Sequence, residues 1–180
     1  MSPIPTMTNF DHVCLTVPDL RQAVDFFVDV FGGEKVLVVG PYEVPESDWM
    51  AEHLRTHPRA SLNAGLVRMG PTLTLELYEV EAPGAKTEAP GTDDVGYVHL
   101  SFRVGDLDRA RSYLVERGLT MHGEATTETE GSPLEGCRWQ HLETPWGLHM
   151  EIVQWPATLP FYAETEARLT PAASAWDNRA

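Results

Sequence analysis

An internal repeat constrains the fold of this chain more than any other feature. The segment His12-Val-Cys-Leu-Thr-Val-Pro-Asp-Leu matches His99-Leu-Ser-Phe-Arg-Val-Gly-Asp-Leu at a constant offset of 87 residues, from position 12 to position 99. The match continues as far as Gly32, which corresponds to Gly118 after the loss of one residue. A register kept over this distance indicates two copies of one structural unit.

Each copy has the pattern of a strand followed by a helix. Apolar and polar residues alternate first, Asp-Leu then marks a helix start, and an amphipathic stretch ends near a glycine. Further extended segments follow in each copy. The predicted strands are Lys35–Val39, Leu62–Met69 and Thr72–Val80 in the first copy, and Thr120–Glu124, Cys137–Glu143 and Leu148–Trp155 in the second. The sequence therefore predicts two tandem βαβββ modules.

Pairing the modules would bury the open edges and apolar faces that each half-sheet has alone. We therefore expect an α+β fold in which two tandem βαβββ modules form a curved mixed sheet around a central metal cleft. The predicted boundaries are 1–83 for the first module, 84–95 for the linker, 96–156 for the second module and 157–180 for a C-terminal tail. The segment 40–61 is predicted to form a short helix or lid, and the tail has a weak helical pattern and is expected to be partly mobile.

Composition limits the classes of partner. The chain has 180 residues and a formal net charge of -14, which argues against nucleic acid, because binding to phosphates depends on Lys and Arg. No apolar run approaches the length of a membrane span, and the first residues lack a secretory signal pattern, so we expect a cytoplasmic protein without a membrane partner. Cys14 and Cys137 fit neither a disulfide framework nor a thiolate metal site, and are expected to be reduced and partly buried.

Two histidines and two glutamates fall on the polar faces of four predicted strands. Alternate residues of a strand share a face, so His12 and His99 point away from the apolar side of the two opening strands. Glu76 and Glu151 do the same in the last strand of each module. Two imidazoles and two carboxylates suit one divalent ion, with zinc, nickel, cobalt, manganese and iron all acceptable.

Each of these residues, taken alone, also has an ordinary structural explanation. The histidines could be hydrogen-bonded core residues, and the glutamates could lie on a solvated sheet face. Their equivalent positions in the two copies favour the metal site, because a cation would remove the cost of burying Glu76 and Glu151.

The repeat resembles the vicinal oxygen chelate superfamily, which includes glyoxalase I, methylmalonyl-CoA epimerases, extradiol dioxygenases and drug-resistance proteins. The resemblance covers about Phe10 to Pro156. It rests on Asp11-His12-Val13 with Val17-Pro18-Asp19-Leu20, on His99 with Asp106-Leu107, and on Pro145-Trp146-Gly147 before Glu151. In members of this superfamily four strands each supply one ligand, and the matching positions here are His12, Glu76, His99 and Glu151.

The resemblance implies an enzyme of the glyoxalase and epimerase branch, since a carboxylate occupies position 76. It implies a metal-dependent epimerase or isomerase that removes a proton next to a carbonyl and passes through a metal-bound enolate, with Glu76 and Glu151 as the proton-transferring residues. The substrate would be a cyclitol or sugar ketone, or an acyl-CoA. The length, the insertion at 40–61 and the C-terminal extension resemble biosynthetic relatives such as the 2-epi-5-epi-valiolone epimerases.

The sequence is also compatible with two other functions. A glyoxalase I-type lyase would use the same ligands with a glutathione hemithioacetal, and a non-catalytic binding protein would hold a small molecule without turnover. We expect a homodimer, with the metal site either inside one chain or shared between two. Arg55, His57 and Arg59 form either an anion-binding patch or a solvated loop, and His149 either supports the site or is structural.

Overall fold

The computed structural model describes residues 10–71 and 73–166, together with Pro5 and Leu169. The described residues form two compact units, one ending at Lys86 and one starting at Thr87. The elements of the first unit are β1 (His12–Thr16), α1 (Leu20–Asp29), β2 (Glu34–Tyr42), α2 (Trp49–Leu54), β3 (Ser61–Met69) and β4 (Leu73–Glu81). Those of the second are β5 (Leu100–Arg103), α3 (Leu107–Glu116), β6 (Thr120–Thr127), β7 (Arg138–Glu143) and β8 (His149–Gln154).

The two units have the same topology. Each contains a four-stranded sheet, in the order β1-β4-β3-β2 in the first unit and β5-β8-β7-β6 in the second. The first strand of each unit runs parallel to the last, and the other pairings are antiparallel. Both units are therefore mixed βαβββ modules, and the predicted α+β class is confirmed.

Both longer helices begin at the aspartate that the sequence pattern predicted. The side chain of Asp19 accepts a hydrogen bond from the backbone N–H of Gln22 at 2.8 Å, and that of Asp106 accepts one from Arg109 at 3.0 Å. Each carboxylate thus satisfies a backbone donor that the first helical turn leaves unpaired. The repeat therefore places the two helices at equivalent points of their modules.

The apolar core of the first unit lies between α1 and one face of its sheet. Phe27 of α1 is fully buried, and so are Leu75 and Leu77 of β4, while Leu15 of β1 is 5% exposed. The residues between them in the strands point to the other face, since side chains alternate along a strand. This alternation leaves Glu76 on the face opposite the helix, as the sequence predicted.

The insertion at 40–61 contains the predicted short helix, α2. Met50 of this helix is fully buried and packs with Ala60 and Leu62. The guanidinium of Arg59 donates to the carbonyl of Ser47 at 2.7 Å and to the carboxylate of Asp48 at 3.2 Å. Arg59 thus holds the loop in front of α2 by hydrogen bonds within the chain, which favours a structural role over an anion-binding one.

Several boundaries and exposures differ from the sequence prediction. β2 extends to Tyr42 and β6 extends to Thr127, beyond the ends that the sequence predicted. Both strands are longer because they stay paired with the neighbouring antiparallel strand after the apolar pattern ends. Cys137 is buried, whereas Cys14 is exposed, because Cys14 lies on the polar face of β1. Thr72 and most of the predicted tail lie outside the described residues, and the described part of the tail contains a short 3-10 helix, Pro160–Ala163. No helix of the described residues is long and apolar enough to cross a membrane.

Candidate metal and proton-transfer site

The first unit brings together His12 and Glu76, the two candidate ligands that it contains. Parallel pairing of β1 and β4 places Cys14 opposite Glu76, so the histidine two residues earlier reaches the same carboxylate. His12 Nε2 lies 3.1 Å from Glu76 Oε2, and the Nδ1 atom of the same ring lies 2.7 Å from Asp11 Oδ2. The exposed fraction is 39% for the His12 side chain and 21% for that of Glu76, so both are accessible from solvent.

The environment of Glu76 favours a positive charge. The hydrogen bond to Asp11, with the charge of Glu76, raises the pKa of His12 above 6.5. Partial desolvation, together with the charge of Glu76, raises the pKa of Cys14 and that of Tyr78 to about 12. The thiol and the phenol therefore remain neutral at pH 7 and add no negative charge beside the carboxylate.

The second unit forms the equivalent pair, His99 and Glu151. Parallel pairing of β5 and β8 places Ser101 opposite Glu151, and the Ser101 hydroxyl donates a hydrogen bond to Oε2 of that carboxylate. His99 Nε2 lies 3.9 Å from the same oxygen, and the side chain of Glu151 is 18% exposed. Ser101 and Cys14 occupy the same position in the repeat, so each glutamate has one small polar neighbour on the adjacent strand.

The donor set of each pair fits a divalent first-row cation. In its neutral form, an imidazole whose Nδ1–H donates to Asp11 has only a lone pair left on Nε2, and at His12 the Nε2 atom faces a carboxylate oxygen. Two acceptors at 3.1 Å repel unless a proton or a metal ion lies between them. Nitrogen and oxygen atoms bound about 2.1 Å from one ion lie roughly 3 to 3.5 Å apart. The nitrogen–oxygen distance is 3.1 Å between His12 and Glu76, within this range, and 3.9 Å between His99 and Glu151, somewhat wider.

Among the described residues, each unit brings together only its own two predicted ligands. Within each unit, the described residues include no group of three or more His, Cys, Asp or Glu side chains that could bind a metal ion. Each unit thus contributes two of the four predicted ligands, and the joining of the four donors around one ion stays a prediction.

A row of histidines along the second sheet was not recognised from the sequence. His122 of β6 lies opposite His141 of β7, and His141 lies opposite Glu151 of β8. The ring centroids of His141 and His149 are 4.8 Å apart, and those of His99 and His141 are 5.5 Å apart. Alternation within β7 places His141 on the same face as Trp139 and Glu143, and this pattern could have identified it.

His149 is held by a tyrosine that precedes β5. The hydroxyl of Tyr97 and the Nδ1 atom of His149 form a hydrogen bond. Desolvation, followed by the charges of His141, His122 and His99, lowers the pKa of His149 below 6.5, so the ring is neutral at pH 7. The sequence left open whether His149 supports the site or has a structural role. In the structure it lies among the polar side chains around Glu151.

Comparisons with known proteins agree on the family. A family model described as the Glyoxalase/Bleomycin resistance protein/Dioxygenase superfamily matches residues 9–152. The chain is 37% identical, over 97% of its length and 94% of the relative, to a 2-epi-5-epi-valiolone epimerase from an Actinomyces species.

Solved structures of other members share the fold. A glyoxalase family protein from Bacillus cereus aligns with a TM-score of 0.64 and 18% identity, covering 85% of this chain and 99% of that one. A lactoylglutathione lyase from Agrobacterium tumefaciens aligns with a TM-score of 0.51 and 18% identity, covering 83% of this chain and 95% of that one. At these identities the likeness concerns the fold alone.

Proposed function

The chain belongs to the Glyoxalase/Bleomycin resistance protein/Dioxygenase superfamily, and we propose that within it the protein is a metal-dependent epimerase acting on a cyclitol ketone. The observation that carries this proposal is the histidine–glutamate pair at the same place in both units. The similarity to a 2-epi-5-epi-valiolone epimerase supports the choice of reaction and of substrate class.

We propose that His12, Glu76, His99 and Glu151 together hold one divalent cation, either within one chain or between the chains of a homodimer. Zinc, nickel, cobalt, manganese and iron all accept two imidazoles and two carboxylates. When bound, such an ion stabilises negative charge on the oxygen of the substrate carbonyl. Asp11 orients one imidazole through its Nδ1–H, which keeps Nε2 directed toward Glu76.

The two glutamates supply the proton transfers. Epimerisation next to a carbonyl removes a proton from one face of the carbon and returns a proton to the opposite face, so it needs a base and an acid. Glu76 and Glu151 are both partly exposed and come from different units, as two groups acting on opposite faces require. The hydroxyl of Ser101 donates a hydrogen bond to Oε2 of Glu151 and so holds this carboxylate in place.

Hydrogen exchange with solvent tests the reaction. In heavy water, the wild-type protein should incorporate deuterium at the carbon next to the carbonyl of 2-epi-5-epi-valiolone, as followed by NMR. Glu151→Gln should slow this exchange by at least about 100-fold, because general acid–base catalysis contributes that much or more. Glu124→Gln is the matched control, since this side chain is 92% exposed on β6 of the same sheet.

Three results would contradict the assignment. Full deuterium exchange by Glu151→Gln would mean that Glu151 takes no part in the proton transfer. Turnover of the glutathione hemithioacetal of methylglyoxal by the wild type, with no exchange of the cyclitol ketone, would replace the epimerase by a glyoxalase I-type lyase. Tight binding of the ketone without exchange would indicate a binding protein.

A further inference from the structure

The first unit contains an open cleft that the proposed reaction does not use. This α1–β2 cleft lies between helix α1 and strand β2 and has a volume of about 550 Å³, within the range of roughly 300–1,000 Å³ that is typical of small-molecule sites. Its walls include Leu20, Val24, Val38, Gly40, Asn63 and Glu79. Glu79 comes three residues after Glu76 in β4 and therefore points to the opposite face of the sheet. The cleft is thus separate from the proposed metal site.

The position of α1 over the middle of the sheet creates the cleft. A Cβ atom at Gly65 of β3 would lie 3.0 Å from Leu20 Cδ1 and 3.2 Å from Val24 Cγ2, so the lack of a side chain there lets the helix approach β3 closely. Val38, which pairs with Gly65 from β2, is 51% exposed. The helix therefore covers β3 and leaves apolar surface of β2 accessible to solvent.

The second unit has charged side chains that join helix and sheet at the equivalent place. With the repeat offset of 87 residues, Val24 of α1 corresponds to Arg111 of α3. The Nη2 atom of Arg111 lies 3.9 Å from Glu124 Oε2 in β6, the strand equivalent to β2. In the first unit this position is an uncharged valine, and Arg21 of α1 pairs with Asp25 of its own helix. The open cleft is therefore a property of the side chains of the first unit and not a requirement of the fold.

Glu79 is a partly buried carboxylate in the wall of the cleft. The Nδ2 atom of Asn63 donates a hydrogen bond to Glu79 Oε2 at 3.1 Å. No Lys, Arg or His side chain in the part of the chain that the structure describes forms an ion pair with Glu79. A carboxylate that is partly removed from water gains more from a cation than from a neutral amide. This end of the cleft therefore favours a positively charged group.

The other charged groups of the cleft lie at its rim or at its far end. The side chains of Arg21 and Asp25 are 93% and 61% exposed and lie 3.9 Å apart, so their charges offset each other in water. Lys35 is exposed, and its register partner is Val67, which lies about 13 Å along β3 from Asn63. An anionic ligand would gain contact with an exposed lysine only and would meet an unpaired carboxylate. A cationic ligand matches the cleft better.

We propose that the α1–β2 cleft binds a small molecule that has a positively charged amine on an apolar chain. The ammonium group contacts Glu79, and the chain lies along Leu20, Val24 and Val38. An ammonium and a carboxylate form charge-assisted hydrogen bonds, and the chain removes exposed apolar surface of Val38 from water. Binding at this site does not depend on the proposed epimerase function.

Hexylamine is the probe, and hexanol and hexanoate are its matched controls with a neutral and a negative head group. NMR titration of the backbone amides gives Kd and locates the binding, because amides of residues 20–25 and 35–40 should shift. Hexylamine should bind the wild type saturably. Hexanol and hexanoate should bind at least about tenfold more weakly, because they cannot donate charge-assisted hydrogen bonds to Glu79.

Two pairs of variants test the head group and the chain separately. Glu79→Gln should weaken hexylamine binding about tenfold or more, whereas Glu81→Gln, an exposed position on the same face of β4 outside the cleft, should not. Val38→Trp fills the cleft and should abolish binding. Val36→Trp is the control, since Val36 is 60% exposed on β2 but does not line the cleft.

The outcomes are independent of the proposed function. No saturable binding of hexylamine, shifts confined to other amides, equal affinity for hexanol, or an equal effect of Glu81→Gln would overturn the site. Circular dichroism checks folding, and Glu79→Gln, which keeps the size of the side chain, decides the question if Val38→Trp does not fold. All folded variants should retain deuterium exchange of the ketone. Failure of the wild type to exchange would refute the epimerase and leave the amine site intact.

Discussion

At the scale of single residues, Glu76 determines the chemistry of its neighbours. Its charge contributes to a raised pKa at His12, Cys14 and Tyr78. An exposed thiol beside a carboxylate is a poor nucleophile, because the thiolate is the reactive form and a pKa of about 12 leaves almost none at pH 7. The local field thus favours binding a cation over nucleophilic catalysis by cysteine.

The residue next to Glu76 on the opposite face supports the fold. Leu77 is fully buried under α1, and Leu77→Ala should lower the free energy of unfolding by about 2–5 kcal/mol, because it leaves a cavity in the core. Chemical denaturation measures the loss. Leu54→Ala, at a position 38% exposed in α2, is the control and should cost much less. Equal effects at the two positions would mean that the face assignment of β4 is wrong.

At the scale of elements, the second unit joins its helix to its sheet with an ion pair. The guanidinium of Arg138, in β7, donates two hydrogen bonds to the carboxylate of Asp108 in α3, at 2.9 and 2.8 Å. These bonds lower the pKa of Asp108 below 3.8. Bidentate geometry makes this pair stronger than an ordinary surface ion pair, although its exposure allows screening by salt.

The pH dependence of stability follows from this shift. A carboxyl with a lowered pKa in the folded state stabilises the fold above its unfolded pKa and loses that contribution as the pH falls through the folded pKa. Asp108→Asn should therefore have a lower free energy of unfolding than the wild type at pH 7. This difference in free energy should disappear as the pH falls below the ordinary pKa of 3.8. Urea denaturation across this pH range measures the difference in free energy of unfolding. A difference that is unchanged at low pH would contradict the role of the ion pair. Asp25→Asn is the control variant.

The repeat made most of the fold predictable, and local physics explains why. Asp19 and Asp106 begin the helices because capping depends on neighbouring residues, and the faces of β1 and β4 follow from alternation alone. The approach of His141 and His149 depends on the register of β7 against β8, which two separate stretches of sequence do not specify. Tyr97 and His149 form a hydrogen bond although they are 52 residues apart in the sequence, so no local sequence pattern predicts it.

At the scale of the whole molecule, the proposed metal site needs residues of both units. In the proposed site each unit would provide one imidazole and one carboxylate, and the described residues within a unit include no group of three or more possible ligands. A cation shared by both units would stabilise the folded chain in proportion to its concentration over Kd. Removal of the ion by a chelator should therefore lower Tm as well as activity, and added metal should restore both.

The metal content of purified protein tests whether the four proposed ligands bind a single ion. We predict one divalent ion per chain by elemental analysis of the wild type, and a large loss of that ion in both Glu76→Gln and Glu151→Gln, because in our proposal the two carboxylates bind the same ion. Glu79→Gln, on the opposite face of β4 from Glu76, should keep it. Two ions per chain, no retained ion in the wild type, or full occupancy in either of the two variants would contradict a single shared site.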